Sequence, residues 1–397
     1  MTVRGVNDKG SCALGSSHWR NESRIPIYAK CSASDSITFQ SNCLYELRKR
    51  TDEQRWHIPQ ANALSVSRET ETGNEMLARY ALVTGGGGFI GSHLVDALVR
   101  NGYEVTVLDN FSSGHERNLS NAVKTGRVKV LKGDIMEKAD IGRAVQGCGS
   151  VFHFAANPEV RNGDPNTHFE VNIRGTLNVL EEMKAHGLRE LIFASSSTVY
   201  GDATLLPTSE DYSPMRPISV YGASKLACES LISSYCASYD LKAIILRFAN
   251  IVGPRLSHGV VYDFMNKLKN DPTHLEILGD GTQRKSYLFV DDAIEAITYC
   301  ARIARQSFDV FNVGSEDDIE VRRIARIVEE EMRVDNPRHV LTGGVGGGRG
   351  WVGDVKFMRL DVTKLKSLGW GPKHSSEDAI RMTVRSIINE WHNRCLV

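Results

Sequence analysis

The sequence predicts an α/β protein: a doubly wound parallel sheet followed by a smaller C-terminal α/β domain. Three observations carry that prediction. Short apolar runs at residues 80–84, 104–109, 128–131, 150–155, 190–195 and 243–248 alternate with helical stretches such as 92–101 and 169–186. Alternation of that kind calls for parallel strands joined by crossover helices and covered on both faces. The first run ends in a cluster of glycines, as where a strand turns sharply into a helix. From about residue 255 the pattern becomes less regular, mixing short strands with helices over 320–332 and 376–391.

The elements follow in order. Residues 1–75 scatter Ser, Asn, Arg and Glu among isolated apolar residues with no sustained period, which predicts a disordered N-terminal extension. It is read either as a real leader or targeting piece, or as upstream translation that a start at Met76 would omit; on both readings it is dispensable for catalysis. Residues 76–254 form the first domain, which includes a further helix over 219–239. Residues 255–397 form mainly the second, with a return of the chain to the first left open. Forty-eight basic side chains balance 48 acidic ones, so nothing marks the chain for nucleic acid or an anionic membrane surface. No apolar run reaches the roughly 20 residues of a membrane span and no secretory core is present, which predicts a cytoplasmic protein. Eight cysteines without a CxxC pair suggest neither a zinc site nor a disulfide framework, and no metal is expected.

The segment Thr84-Gly85-Gly86-Gly87-Gly88-Phe89-Ile90-Gly91 follows a strand and opens a helix. Glycine is needed where backbone must approach a pyrophosphate whose charge the helix N-terminus then meets, a Rossmann-type turn. Asp109, at the end of the second run, fits an acceptor for ribose hydroxyls and a repellent for a 2′-phosphate, pointing to NAD rather than NADP. Tyr221-Gly222-Ala223-Ser224-Lys225 sets a phenol and an ammonium on one helical face. A phenol at its ordinary pKa of about 10 is a poor base, but a neighbouring cation favours the phenolate. The serines Ser195-Ser196-Ser197 end the fifth run, where open α/β sheets place their ligands.

Taken together, TGGGGFIG, LDNFSSG, HFAAN, NIRGT, SSSTVYG, YGASK and RFANIVGPR, in that order, resemble the extended short-chain dehydrogenase/reductase family over residues 76–395. Within it the chain is most similar to the NAD-dependent nucleotide-sugar epimerases, the UDP-glucose 4-epimerases among them. The resemblance implies that Gly85, Gly88, Phe89, Ile90 and Gly91 hold the pyrophosphate, Asp109 and Asn110 the ribose, and Asp134 and Ile135 adenine. It sets Ala155, Ala156 and Asn172 along the cofactor, makes Ser196, Tyr221 and Lys225 catalytic, and puts Lys225 on the nicotinamide ribose. Asn250, Arg284 or Lys285, Arg349 and Asp354 fall to a nucleotide sugar, a UDP-hexose by preference. Homodimers are implied as well, through helices 169–186 and 221–239, with Leu226, Leu231 and Ile232 on an apolar face.

Some positions depart from the family pattern. Lys285 stands where the best-known epimerases have an arginine, and Val260 and Val261 replace a side-chain amide. Ser197 and Thr198 follow Ser196 where the family's dehydratases and decarboxylases carry carboxylates, and Asn250 replaces the Thr usual in uronate epimerases. These choices favour 4-epimerisation of a neutral hexose over dehydration or decarboxylation, and Asp109 argues against a reductase that would need exchangeable NADPH; a non-catalytic dinucleotide sensor would be expected to lose Tyr221 or Lys225. His153 reads as a packed core histidine, Arg161 as either a sugar contact or a surface residue, and Glu329–Glu331 as a solvated helix face.

Overall fold

The computed structural model describes residues 79–161, 163–303 and 306–395. The reading of residues 1–75 and of a start at Met76 therefore lies outside the described residues. Strand β1 (Tyr80–Thr84) is apolar because both its faces are covered: Ala81 and Val83 enter one core and Leu82 the other. The same two-residue period runs through β2 (Glu104–Asp109), and β3 (Val128–Lys132) lies beyond it at the edge. It recurs in β4 (Ser150–His153), β5 (Glu190–Ser196) and β6 (Lys242–Phe248), where Ile244, Leu246 and Phe248 oppose Ala243 and Ile245. Strands buried on both faces have no polar side to display, which is why they read as near-continuous apolar runs.

These strands and Phe308–Val313 make a seven-stranded parallel sheet in the order Phe308–Val313, β6, β5, β4, β1, β2, β3. Between β1 and β4 the winding reverses, and a crevice opens there at the carboxyl ends of the strands. Helices Phe89–Arg100 and Val290–Ile303 cover one face through Leu94, Leu98, Ile294 and Ile297. Helices Lys138–Ala144, Gly175–Ala185 and Val220–Tyr239 cover the other through Ile141, Leu180, Met183 and Cys228. The seventh strand shows that the chain does return from the C-terminal half. Its Asp309 and Asn312 break the apolar run, and Asn312, fully buried, is satisfied by Tyr200 Oη and by the carbonyls of Thr208 and Asp361.

The remaining C-terminal residues build a smaller layer around their own core. Phe264 and Met265 on helix Val260–Asn270 meet Ile324 and Val328 on Val321–Met332, and Ile380 and Val384 on Ser376–Cys395. No described helix is long and apolar enough to cross a membrane.

Three expectations change. Ile232 is fully buried in the sheet core and offers nothing to a partner, because the helix that carries it lies directly on the strands. The run Glu329–Glu331 is a solvated face only at Glu330: Glu329 is buried against His339 and Arg326, and Glu330 and the half-buried Glu331 bind Arg323, Arg381 and Arg385. The stretch 169–186 is also not one regular helix, since His168–Arg174 is a π-turn feeding Gly175–Ala185. Such wide turns recur at functional sites.

Candidate active site

The crevice at the β1/β4 reversal opens into a cavity of about 740 Å³ that reaches into the smaller layer. Its first wall is backbone. Gly85 has φ 70°, and a Cβ there would lie 2.6 Å from the Ala155 nitrogen; a Cβ on Gly91 would lie 2.2 Å from the Gly85 carbonyl oxygen. Gly88 caps helix Phe89–Arg100 without any side-chain cap, and no acidic residue occupies the first turn. The first N–H groups of the helix are thus available to an anion. Asp109 is held in register by accepting from the Gly87 and Phe111 amides, both at 2.7 Å, and Asn110 donates to Asp134 at 2.9 Å. Gly85, Gly88, Phe89, Ile90, Gly91, Asp109, Asn110, Asp134, Ile135, Ala155 and Ala156 all line the cavity. A tight glycine turn, a bare helix N-terminus and a fixed carboxylate fit the diphosphate and ribose of a dinucleotide.

Thr84, just ahead of the turn, is braced from below. His153 Nδ1 lies 2.7 Å from its hydroxyl and Nε2 lies 2.9 Å from that of Thr176, while burial lowers the imidazole pKa to about 3. The expected packed histidine is what the structure contains.

Ser196, Tyr221 and Lys225 meet on the same cavity. Ser219 caps helix Val220–Tyr239 by accepting from the Gly222 amide at 3.1 Å, which sets the helix start under β5. The Tyr221 hydroxyl faces Ser196, whose Oγ accepts from the Thr198 hydroxyl at 2.9 Å. Lys225, nearly fully buried, donates to the Ala194 carbonyl at 2.8 Å, and its Nζ lies 5.9 Å from the Tyr221 ring centre. Burial pushes the Tyr221 phenol up to about 12, opposed by Ser196, and pulls Lys225 down to about 8. The expected lowering of the phenol by Lys225 is not seen in the protein alone, where desolvation of the phenolate sets the direction of the shift.

Beneath this triad the sequence reading missed a buried network. Ser195 Oγ donates to Glu229 at 2.5 Å, and Arg247 closes on Glu229 at 2.7 Å and on Tyr200 Oη at 2.9 Å. The Arg247 and Glu229 side chains are 4% and 5% exposed, so removing one partner costs about 3–5 kcal/mol. The pair fixes β5 against β6 and the helix carrying Tyr221.

The substrate-side residues divide. Asn250, Lys285 and Asp354 line the cavity and Arg284 and Arg349 do not; Asn172, expected along the cofactor, does not line it either. Arg284 turns outward to Asp318 at 2.6 Å, because neighbouring strand residues face opposite ways and Lys285 takes the inward position. Lys285 binds the almost fully buried Asp354 at 2.5 Å. Arg349 grips Asp202 with both guanidinium nitrogens, at 2.9 and 2.8 Å, and donates to the Asp354 carbonyl at 2.6 Å. Asn172 is buried as a tie, its Oδ1 accepting from Asn157 at 2.7 Å and its Nδ2 donating to Ser224 at 2.9 Å. Trp351 and Arg161 also line the cavity; nothing in the local sequence around Trp351 signalled it.

The sequence profile of the NAD dependent epimerase/dehydratase family matches residues 81–314. The UDP-glucose 4-epimerase of Mycolicibacterium smegmatis is 33% identical over 78% of this chain and 98% of its own. The UDP-N-acetyl-alpha-D-glucosaminuronate decarboxylase of Bacillus cytotoxicus is also 33% identical, over the same shares. A solved UDP-galactose 4-epimerase superposes with a TM-score of 0.70 at 43% identity, covering 78% of this chain and 99% of that one. With the glycine turn, the fixed carboxylate and the Ser–Tyr–Lys group on one cavity, the chain belongs to the NAD-dependent epimerase/dehydratase family.

Proposed function

We propose that the chain is a UDP-hexose 4-epimerase that interconverts UDP-galactose and UDP-glucose on permanently bound NAD. The observation that carries this reading is the meeting of Ser196, Tyr221 and Lys225 on one cavity at the end of β5, with Ser197 and Thr198 beside them where elimination or decarboxylation would call for carboxylates. Gly85, Gly88, Phe89, Ile90 and Gly91 would hold the cofactor diphosphate, Asp109 and Asn110 its ribose, Asp134 and Ile135 its adenine, and Ala155 and Ala156 its nicotinamide arm. When bound, NAD supplies the hydride acceptor and donor together with a positive ring whose charge favours the phenolate. Tyr221 takes the proton from the sugar 4-hydroxyl and later returns it, Ser196 hydrogen-bonds the developing oxyanion, and Lys225 steadies both from behind. Asn250 and Lys285 hold the nucleotide end while the 4-keto sugar turns within the cavity.

The test is to incubate the protein with UDP-galactose, without added reductant, and to resolve the nucleotide sugars by chromatography. UDP-glucose is expected, and Tyr221→Phe is expected to cut its formation by at least about a hundredfold. Unchanged UDP-galactose, or conversion that survives Tyr221→Phe, overturns the reading.

A further inference from the structure

Three of the four basic side chains at the substrate end are already neutralised within the protein. Arg284 is spent on Asp318, Lys285 on Asp354 and Arg349 on Asp202. A diphosphate anchored only by these would have to compete with carboxylates held at 2.5 to 2.8 Å. Arg161 differs. It comes from the other layer, on the loop after β4, lines the cavity and is solvent-exposed. Its backbone amide donates to Glu159, but among the described residues its guanidinium makes no hydrogen bond or ion pair. It stacks instead on the Trp351 ring, 5.1 Å from the ring centre. Lys285 Nζ lies 5.3 Å from the same ring, so two cations flank one indole, and of these Lys285 is paired with Asp354. The indole N–H is itself buried without a partner, a donor with no acceptor in the protein. At the opposite end of the cavity the charged side chains are Asp109 and Asp134, whereas this end sets Arg161 and Lys285 among Glu159, Asp263 and Asp354.

We propose that Arg161, seated on Trp351, is the cation that binds the diphosphate of the nucleotide-sugar substrate, bridging the two layers across the cavity. This rests on the UDP-hexose reading and names the residue that sets its anchor. A planar guanidinium on an aromatic face is pre-positioned for two-pronged contact with phosphate oxygens, which a free surface arginine is not. Because the anchor comes from the dinucleotide layer, substrate binding also draws the two layers together.

The test compares the NAD-loaded wild type with Arg161→Gln and Arg161→Lys. UDP and uridine are titrated calorimetrically, and KM and kcat are measured on UDP-galactose. Arg161→Gln is expected to weaken UDP about tenfold while changing uridine by less than about twofold, and to raise KM more than it lowers kcat. Arg161→Lys restores part of the UDP affinity. Equal losses for UDP and uridine point to a merely structural loop residue and overturn the proposal, as does unchanged UDP affinity. Wild-type turnover with unchanged UDP affinity in Arg161→Gln overturns the role of Arg161 alone, whereas a wild type that neither binds UDP nor converts UDP-galactose sinks the UDP-hexose reading and this inference together.

Discussion

The two ends of the cavity are made of different material. At the dinucleotide end the wall is backbone: glycines that leave no room for a Cβ, a bare helix N-terminus, and one carboxylate pinned by two amides. At the substrate end the wall is side chains from distant segments, among them Arg161, Lys285, Trp351 and Asp354, which meet only in the fold. A site made of backbone tolerates almost no substitution but can be read locally. A site made of side chains can be retuned by single replacements, and a sequence shows its members without showing which way they point.

The contrast can be broken most sharply at Gly91. Replacing it by alanine puts a Cβ about 2.2 Å from the Gly85 carbonyl oxygen, a contact only backbone movement can relieve. Gly91→Ala is expected to weaken NAD at least about a hundredfold by calorimetric titration, through overpacking and displaced amides. Affinity within about threefold of wild type would show that the turn is less rigid than its geometry says.

Next in size is an acid effect at the same end. Burial lowers His153 in the folded protein to about 3, whereas the unfolded chain takes up its proton near 6.5. Between those values the unfolded state binds the extra proton, so stability is lost as pH falls below about 6.5, by about 1.4 kcal/mol per pH unit at most. Urea unfolding at pH 7 and pH 5 measures the loss, and His153→Gln should flatten it. An equal slope in the variant would move the effect to other groups.

The smallest expected change lies at the substrate end, between neighbours. Lys285→Ala should raise the KM for UDP-galactose roughly tenfold, since it removes a cavity cation and strands the buried Asp354. Arg284→Ala, outside the cavity, should leave KM within about twofold. The reverse result would mean that this strand turns over when substrate binds.

Much of the architecture was legible. The apolar runs forecast β1 to β6, because strands covered on both faces must be apolar throughout, and the glycine spacing located the turn. Asp109 was legible for the same local reason, since it ends a strand two residues before the amide of Phe111 that it holds. The seventh strand was hidden by Asp309 and Asn312, polar residues that only their tertiary partners make tolerable. Glu329 looked solvated because three successive glutamates usually are, until His339 and two packed helices supplied its partners.

By itself the sequence determined which groups this protein owns: a glycine turn, an acid at a strand end, a serine at another strand end, and a Tyr and Lys spaced to fall on one helical face. Tertiary structure decided which of them act together. It turned Lys285 inward and Arg284 outward, drew Arg349 onto Asp202, placed Arg161 on Trp351, and raised the Tyr221 phenol through burial. The physical reason is range: steric and hydrogen-bonding rules of the backbone act over a few residues of chain, whereas charge pairing and desolvation depend on what lies nearby in space.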